Sequence, residues 1–373
     1  SQGSGIPQVI AATKEVSLGN DVSALVSMRI ACGKVGLGAL ALAGGFSAGR
    51  EGPSVQVAAS IMHLAHRFLP HSRALRPQDL ILAGGAAGVA AAFNAPLAGI
   101  IFAVEELGRR LETRTSGVLV STIILSGLVS IALMGNYNYF GHMKTYAEIK
   151  GMFLIVIFCG LLCGLLGGYF SHLLLWPQRM PKLAIWRWSR AHPVYFAGAC
   201  GLVVALTGWL CNGMSYGSGY NITARIVSGE LSVPWYTSIA RYLATLASYY
   251  SGIPGGLFAP SLAVGGALGS SIAPLIGAAN SEIPVVVLCM AGFLAAVTQS
   301  PITAAIIVME MVGGHDMIIS LMAVALLSRA VSSRVGPELY QQLAKDFRAS
   351  SSAPEMDSDQ RFPIQQPESI VGK

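Results

Sequence analysis

Long apolar runs without a single charge dominate this sequence, over residues 118–133, 152–170, 194–209, 285–297 and 318–327. A chain of 373 residues that is 53% hydrophobic and 11% charged has far fewer charges than the roughly 25% of ordinary soluble domains. In water it would expose much of that apolar surface. A bilayer removes the problem, because lipid is then the solvent. Several runs approach the roughly 20 residues needed to span hydrocarbon. The shorter ones, 285–297 and 318–327, predict re-entrant or broken helices, which transporters use to bring helix ends to mid-membrane.

Glycine supports the same class. The 43 glycines often stand three or four apart, as at Gly160, Gly164, Gly167 and Gly168, spacing that lets transmembrane backbones approach closely. The net charge of +6 is ordinary for a membrane protein, with basic clusters at residues 66–76, 109–114 and 182–190. None of these clusters is read as a nucleic-acid face. The six cysteines sit mostly inside apolar segments and read as small buried side chains rather than disulfides. Residue 1 is Ser, and a functional-looking Gly-Ser-Gly starts at residue 3, so the chain is expected to continue a longer protein whose first helices precede it.

The two halves repeat one another. Gly3-Ser4-Gly5 returns as Gly217-Ser218-Gly219, an offset of 214. Arg50-Glu51-Gly52-Pro53-Ser54 faces Leu257-Phe258-Ala259-Pro260-Ser261 at 207, and the segment 90–96 faces 295–301 at 205. The last register continues to Glu105 against Glu310. One unit used twice places a substrate site at the interface of the two copies. We divide the chain into a first transmembrane repeat over 1–134, incomplete at its N-terminus, a second over 147–348, and a polar, weakly packed cytoplasmic tail over 349–373. The link 135–150 reads as polar and exposed.

Three loops, 3–7, 49–53 and 256–260, each combine Gly with Pro where a helix can begin. The free N–H groups and positive dipole end of such a helix attract an anion. Several of them converging would hold an anion without a full positive charge, which lets the ion leave again. Glu51, at one of these starts, would compete with the anion for the same donors. Ionised it occupies the site; protonated it swings away, which makes it a gate and proton carrier. Glu105 and Glu106 follow the apolar stretch 99–104, and an ionisable group inside a membrane segment is a functional hypothesis by default. Glu105 has a repeat partner, Glu310, and is expected to do structural work; Glu106 faces Met311 and is the candidate for proton transfer. Ser4 and Tyr340 offer hydroxyls to an anion.

Two other patterns are decoys. Gly45-Phe46-Ser47-Ala48-Gly49 fits G-x-S-x-G, but lies between apolar helical runs and not on a strand–turn–helix. A hydrolase built on Ser47 is therefore a minor alternative, and the chain is not expected to be an enzyme. His63 and His66 have no further ligand at metal spacing.

At these residues the sequence resembles the CLC family of chloride channels and chloride/proton antiporters. The motifs are Gly3-Ser4-Gly5-Ile6-Pro7, Gly49-Arg50-Glu51-Gly52-Pro53, Gly256-Leu257-Phe258-Ala259-Pro260 and Glu338-Leu339-Tyr340, and the resemblance runs from residue 3 to residue 347. It implies an all-α integral membrane protein of two inverted repeats of broken and tilted transmembrane helices. It implies a homodimer with one pathway per subunit, exchanging chloride for protons; the alternative is a passive voltage- or pH-gated chloride channel of the same fold. The implied anion site comprises Ser4, Gly5, Ile6, Leu257, Phe258 and Tyr340, with Glu51 as gate and Glu106 as proton residue. Lys34, Gly49, Arg50, Pro53 and Glu105 are expected to support it. Ser4 matches the chloride-preferring form of its motif, where nitrate-preferring plant members carry proline. No regulatory nucleotide-binding domains follow residue 348, which points to a prokaryotic-type member in a bacterial inner membrane. The expected partners are chloride, protons and lipid, with no cofactor, metal or nucleic acid.

Overall fold

The computed structural model describes residues 2–68, 76–108, 113–135, 137–143, 151–276 and 282–351. All regular elements among them are helical. The first repeat contains α1 Ile6–Ser17, α2 Met28–Ala43, α3 Glu51–Ala65, α4 Pro77–Phe93, α5 Pro96–Phe102 and α6 Thr113–Met134, with a π-helical turn Ala103–Gly108 after α5. Then come α7 Met152–Leu174, α8 Trp176–Arg179, α9 Ala184–Ala191 and α10 Pro193–Leu210. The second repeat continues with α11 Tyr220–Val227, α12 Tyr236–Tyr250, α13 Phe258–Ile272, α14 Glu282–Thr298, α15 Pro301–Val312 and α16 Ile318–Val335, and α17 Leu339–Ser351 closes the chain. The sequence offsets pair α1–α6 with α11–α16.

Four described helical stretches are long and apolar enough to cross a membrane, Gly117–Met134, Met152–Leu174, Pro193–Leu210 and His315–Val335. The protein is an integral, multi-pass membrane protein. The run 318–327, expected to be a short broken segment, is instead the apolar part of one of these spans. Ser328–Val335 continues the helix with the Ser328 and Ser332 hydroxyls donating to Gly160 O and Ala296 O of other helices, so polarity there does not end it. The shorter helices α13, α14 and α15 remain too short to span alone.

The two repeats meet about a local two-fold axis. Gly49 and Gly256, equivalent by sequence, exchange reciprocal backbone hydrogen bonds, Gly49 N–H to Gly256 O at 2.8 Å and Gly256 N–H to Gly49 O at 2.7 Å. The glutamates do the same at greater reach. The Glu105 carboxylate accepts from the N–H groups of Ile302 and Thr303 at 3.2 and 2.6 Å, at the start of α15. The Glu310 carboxylate accepts from Leu97 and Ala98 at 3.2 and 2.7 Å, at the start of α5. Equivalent residues that contact each other's neighbours reciprocally are what a two-fold requires, and it is the relation between inverted repeats.

These caps follow from the sequence. Pro96 and Pro301 open the two helices, and neither N-cap residue supplies a side-chain acceptor. The orphan N–H groups of each first turn are taken by a carboxylate from the other repeat, where the dipole also favours negative charge. We predict that Glu105→Gln and Glu310→Gln each destabilise the fold by about 1–3 kcal/mol, seen as a lower thermal midpoint in detergent. Because the two caps lie on different helices, the double variant should lose roughly the sum. Unchanged midpoints would show that the caps contribute nothing.

The link between the repeats departs from expectation. Residues 137–143 fold back onto the protein, with Tyr139, Phe140 and Met143 only 3%, 2% and 3% exposed. The aromatic content of Tyr137–Phe140 outweighs Asn138 and the following Gly141. At the other end, residues 349–351 continue α17 rather than beginning a tail, while 352–373 lie outside the described residues, as does the basic run 109–112. Of the cysteines, Cys32 is exposed; the other five are buried and all six are free.

Candidate anion and proton site

Four helix starts gather at one place, those of α1, α3, α13 and α17. Gly5 is in the left-handed region at φ 112, and a Cβ there would lie 2.2 Å from the carbonyl oxygen of Gly52. Only glycine lets the starts of α1 and α3 come this close. A Cβ on Gly52 would in turn meet Ser4 O at 2.3 Å and Ser4 Oγ at 2.7 Å, so Ser4 lies directly against α3. The Tyr340 ring, at the start of α17, packs on Phe258 at the start of α13, with centroids 5.9 Å apart. Phe258 also stacks on Phe93 at 6.2 Å and meets Phe102 edge-on at 5.8 Å.

The polar groups at this junction are unpaired. Ser4 is 3% exposed, and Glu51 and Tyr340 are both at 0%. Neither the Ser4 hydroxyl, the Tyr340 hydroxyl nor either Glu51 carboxyl oxygen has a hydrogen-bond partner among the described residues. The Tyr340 and Ser4 hydroxyls face each other. The N–H groups of Arg50, Glu51 and Ala259 point toward the Glu51 carboxyl, without reaching full hydrogen-bond geometry. That carboxyl is wedged against glycine backbone. A Cβ on Gly49 would stand 2.0 Å from Glu51 Oε2, and one on Gly256 3.0 Å from it. Buried polar groups are nearly always satisfied, so three orphans together at helix starts that carry free N–H groups mark a place for an anion.

The structure brings the expected residues together with one change of role. Gly5 was expected among the anion-site residues. Its N–H donates to Gln8 Oε1 at 2.9 Å, so the side chain three residues on caps the start of α1. Gly5 therefore supplies backbone shape between Ser4 and Ile6. Leu257 and Phe258 occupy the N-cap and first turn of α13, and no side chain caps that start.

Glu106 lies on the π-helical turn, the kind of local widening often found at functional sites. It is 2% exposed, and its Oε2 accepts from the hydroxyl of Ser300, the N-cap residue of α15. Gln341, next to Tyr340, donates from Nε2 to the Glu106 backbone oxygen at 3.2 Å. Its Oε1 accepts from Lys14 Nζ at 3.0 Å. Tyr340 is within electrostatic reach of both Glu106 and Glu51.

A profile of the voltage gated chloride channel family matches residues 1–333. The chain is a CLC family member. Among characterised relatives it is 29% identical over 381 residues to the H(+)/Cl(-) exchange transporter ClcA of Citrobacter koseri, covering 96% of this chain and 76% of that protein. Its fold is similar to that of a slow cyanobacterial Cl-/H+ antiporter, with a TM-score of 0.77 at 24% identity over 93% of this chain and 81% of that one. It is also similar to a eukaryotic CLC transporter, with a TM-score of 0.71 at 23% identity over 92% and 61%. Within this CLC fold, a cavity of about 330 Å³ lined by Gln2, Ser4, Tyr249, Leu343, Asp346 and others leads to Ser4 from one side.

Two cations support the loops in equivalent ways, and only Lys34 was among the expected residues. Lys34, fully buried, donates from Nζ to Gln2 O at 3.3 Å and Gly3 O at 2.5 Å, pinning the strand of chain before Ser4. Its repeat counterpart at the same offset of 207 is Arg241, 1% exposed, whose Nη2 donates to Tyr216 O at 3.4 Å, ahead of Gly217-Ser218-Gly219. The signal was available: a cation stands 17 residues before both Glu51 and Phe258. Ser47, the hydrolase decoy, is buried and its hydroxyl is paired with Thr245 Oγ1 at 2.9 Å.

Proposed function

We propose that the chain exchanges chloride for protons across a membrane, as the names of its ClcA and antiporter relatives indicate for those proteins. The observation that carries this reading is the meeting of the unpaired Ser4 and Tyr340 hydroxyls with the unpaired Glu51 carboxyl at converging helix starts. Chloride takes the donors of Ser4 and Tyr340 together with the N–H groups near Ile6 and Phe258. The Glu51 carboxylate competes for the same region. Protonated, it loses its attraction for the N–H groups and leaves the path to the anion. Glu106, about the same Tyr340, loads the proton from the other side through the neighbourhood of Ser300 and Gln341. Arg50, Lys34, Gly49, Pro53 and Glu105 hold the loops that make this possible. A homodimer with one pathway per subunit, in a bacterial inner membrane, is part of the same proposal and rests on the family and on the bacterial relative.

Selectivity tests the anion site directly. Ser4→Pro removes a hydroxyl donor worth about 1 kcal/mol, so nitrate should gain on chloride by roughly fivefold. The nitrate-to-chloride flux ratio in liposomes measures it. An unchanged ratio would take Ser4 out of the selectivity site.

A further inference from the structure

The segment between the repeats has a counterpart on the other side of the anion site. α4 and α14 both end on a residue in the left-handed region, Asn94 at φ 53 and Gln299 at φ 60, equivalent at offset 205. Asn94 Nδ2 donates to Tyr137 O at 2.8 Å, just beyond α6. Gln299 Nε2 donates to Gly336 O at 2.8 Å, just beyond α16. The chain that leaves Gly336 reaches Tyr340 at the anion site. By the local two-fold, the chain that leaves Tyr137 must reach the same site from the opposite face.

It brings Tyr139 to within one ring of that site, against Phe93, which itself stacks on Phe258. The segment is fastened to the second repeat as well, by Phe140 N–H to Met311 O at 2.9 Å and Met143 N–H to Val312 O at 3.0 Å. Tyr139 packs edge-on against Phe93 at 5.6 Å and Tyr220 at 4.8 Å. The Arg50 guanidinium lies over the Tyr139 ring, 5.2 Å from its centroid, with Nη2 donating to Ala92 O at 3.3 Å. Arg50 immediately precedes Glu51, and Tyr139 is itself within electrostatic reach of that carboxyl. A guanidinium on an aromatic face is held by the ring quadrupole, and a fixed cation at a mouth raises the local anion concentration.

We propose that Tyr139 is a positioning residue for chloride capture, its ring fixing the exposed Arg50 guanidinium beside Glu51. The proposal rests on the reading of the Ser4–Glu51 junction as the chloride path. It adds a residue that no motif contributes, carried by a segment that belongs to neither repeat.

The test measures chloride flux against chloride concentration for the whole protein in liposomes. Tyr139→Leu should raise the half-saturating chloride concentration about threefold or more, with maximal flux within about twofold of the unaltered protein. The defect should shrink as a non-transported salt is added, because screening removes the contribution of the cation. Tyr139→Phe keeps the ring and should restore the original value. Arg50→Gln removes the charge with Tyr139 in place and should show the same rise; it decides the matter if Tyr139→Leu fails to fold. A Tyr139→Leu or Arg50→Gln protein with unchanged half-saturation overturns the proposal, as does a Tyr139→Phe protein as impaired as Tyr139→Leu. Absence of chloride flux in the unaltered protein would instead sink the functional reading beneath it.

Discussion

Glu51→Gln uncouples the two ions: proton movement falls by roughly 100-fold or more, while chloride flux continues and loses most of its dependence on pH. The carboxyl is fully buried at the meeting of α3 and α13, against the backbone of Gly49 and Gly256. An ionised group there draws on the N–H groups that an anion would use. An amide has the shape of the protonated acid without a titratable proton, so the path stays in its protonated condition at every pH. Chloride then meets no competing charge. Flux measured between acidic and alkaline buffers should be nearly flat, and a chloride gradient should move no protons. Uphill proton movement retained in this variant would remove Glu51 from the coupling.

Glu106→Gln separates exchanger from channel. Proton movement should again fall by roughly 100-fold or more, but chloride flux should keep its dependence on pH, because Glu51 still titrates. The anion donors at Ser4 and Tyr340 are untouched by this change. The neighbour Glu105 provides the contrast. Its carboxylate is committed to Ile302 and Thr303 N–H groups, so Glu105→Gln should lower stability more than it lowers coupling. A Glu106→Gln protein that still pumps protons would remove Glu106 from the proton path and contradict this mechanism.

What the sequence showed, it showed through duplication. Matching Glu105 with Glu310 and Glu106 with Met311 separated two adjacent acids before any geometry was known, and the geometry puts one on helix starts of the other repeat and the other beside Ser300. The helix starts were legible because Gly and Pro at fixed places constrain backbone more than they constrain packing. The segment 137–143 was not, since local polarity says little about aromatic rings that bury themselves against a distant repeat. Arg241 was missed for a related reason: a lone arginine in an apolar helix has no motif, and only its offset from Lys34 gives it meaning. That the Gly5 N–H is taken by Gln8 was not legible either, because this acceptor three residues on acts only once the turn is formed.

The central claim is that chloride and protons move in opposite directions through one coupled path. The direct measurement uses the whole protein in liposomes under a chloride gradient, with no initial proton gradient and the membrane potential controlled, while external pH is followed. The account predicts that outward chloride flow drives protons inward against the gradient they build up, and that this stops in Glu51→Gln and Glu106→Gln. Chloride flow without any proton movement in the unaltered protein would contradict it.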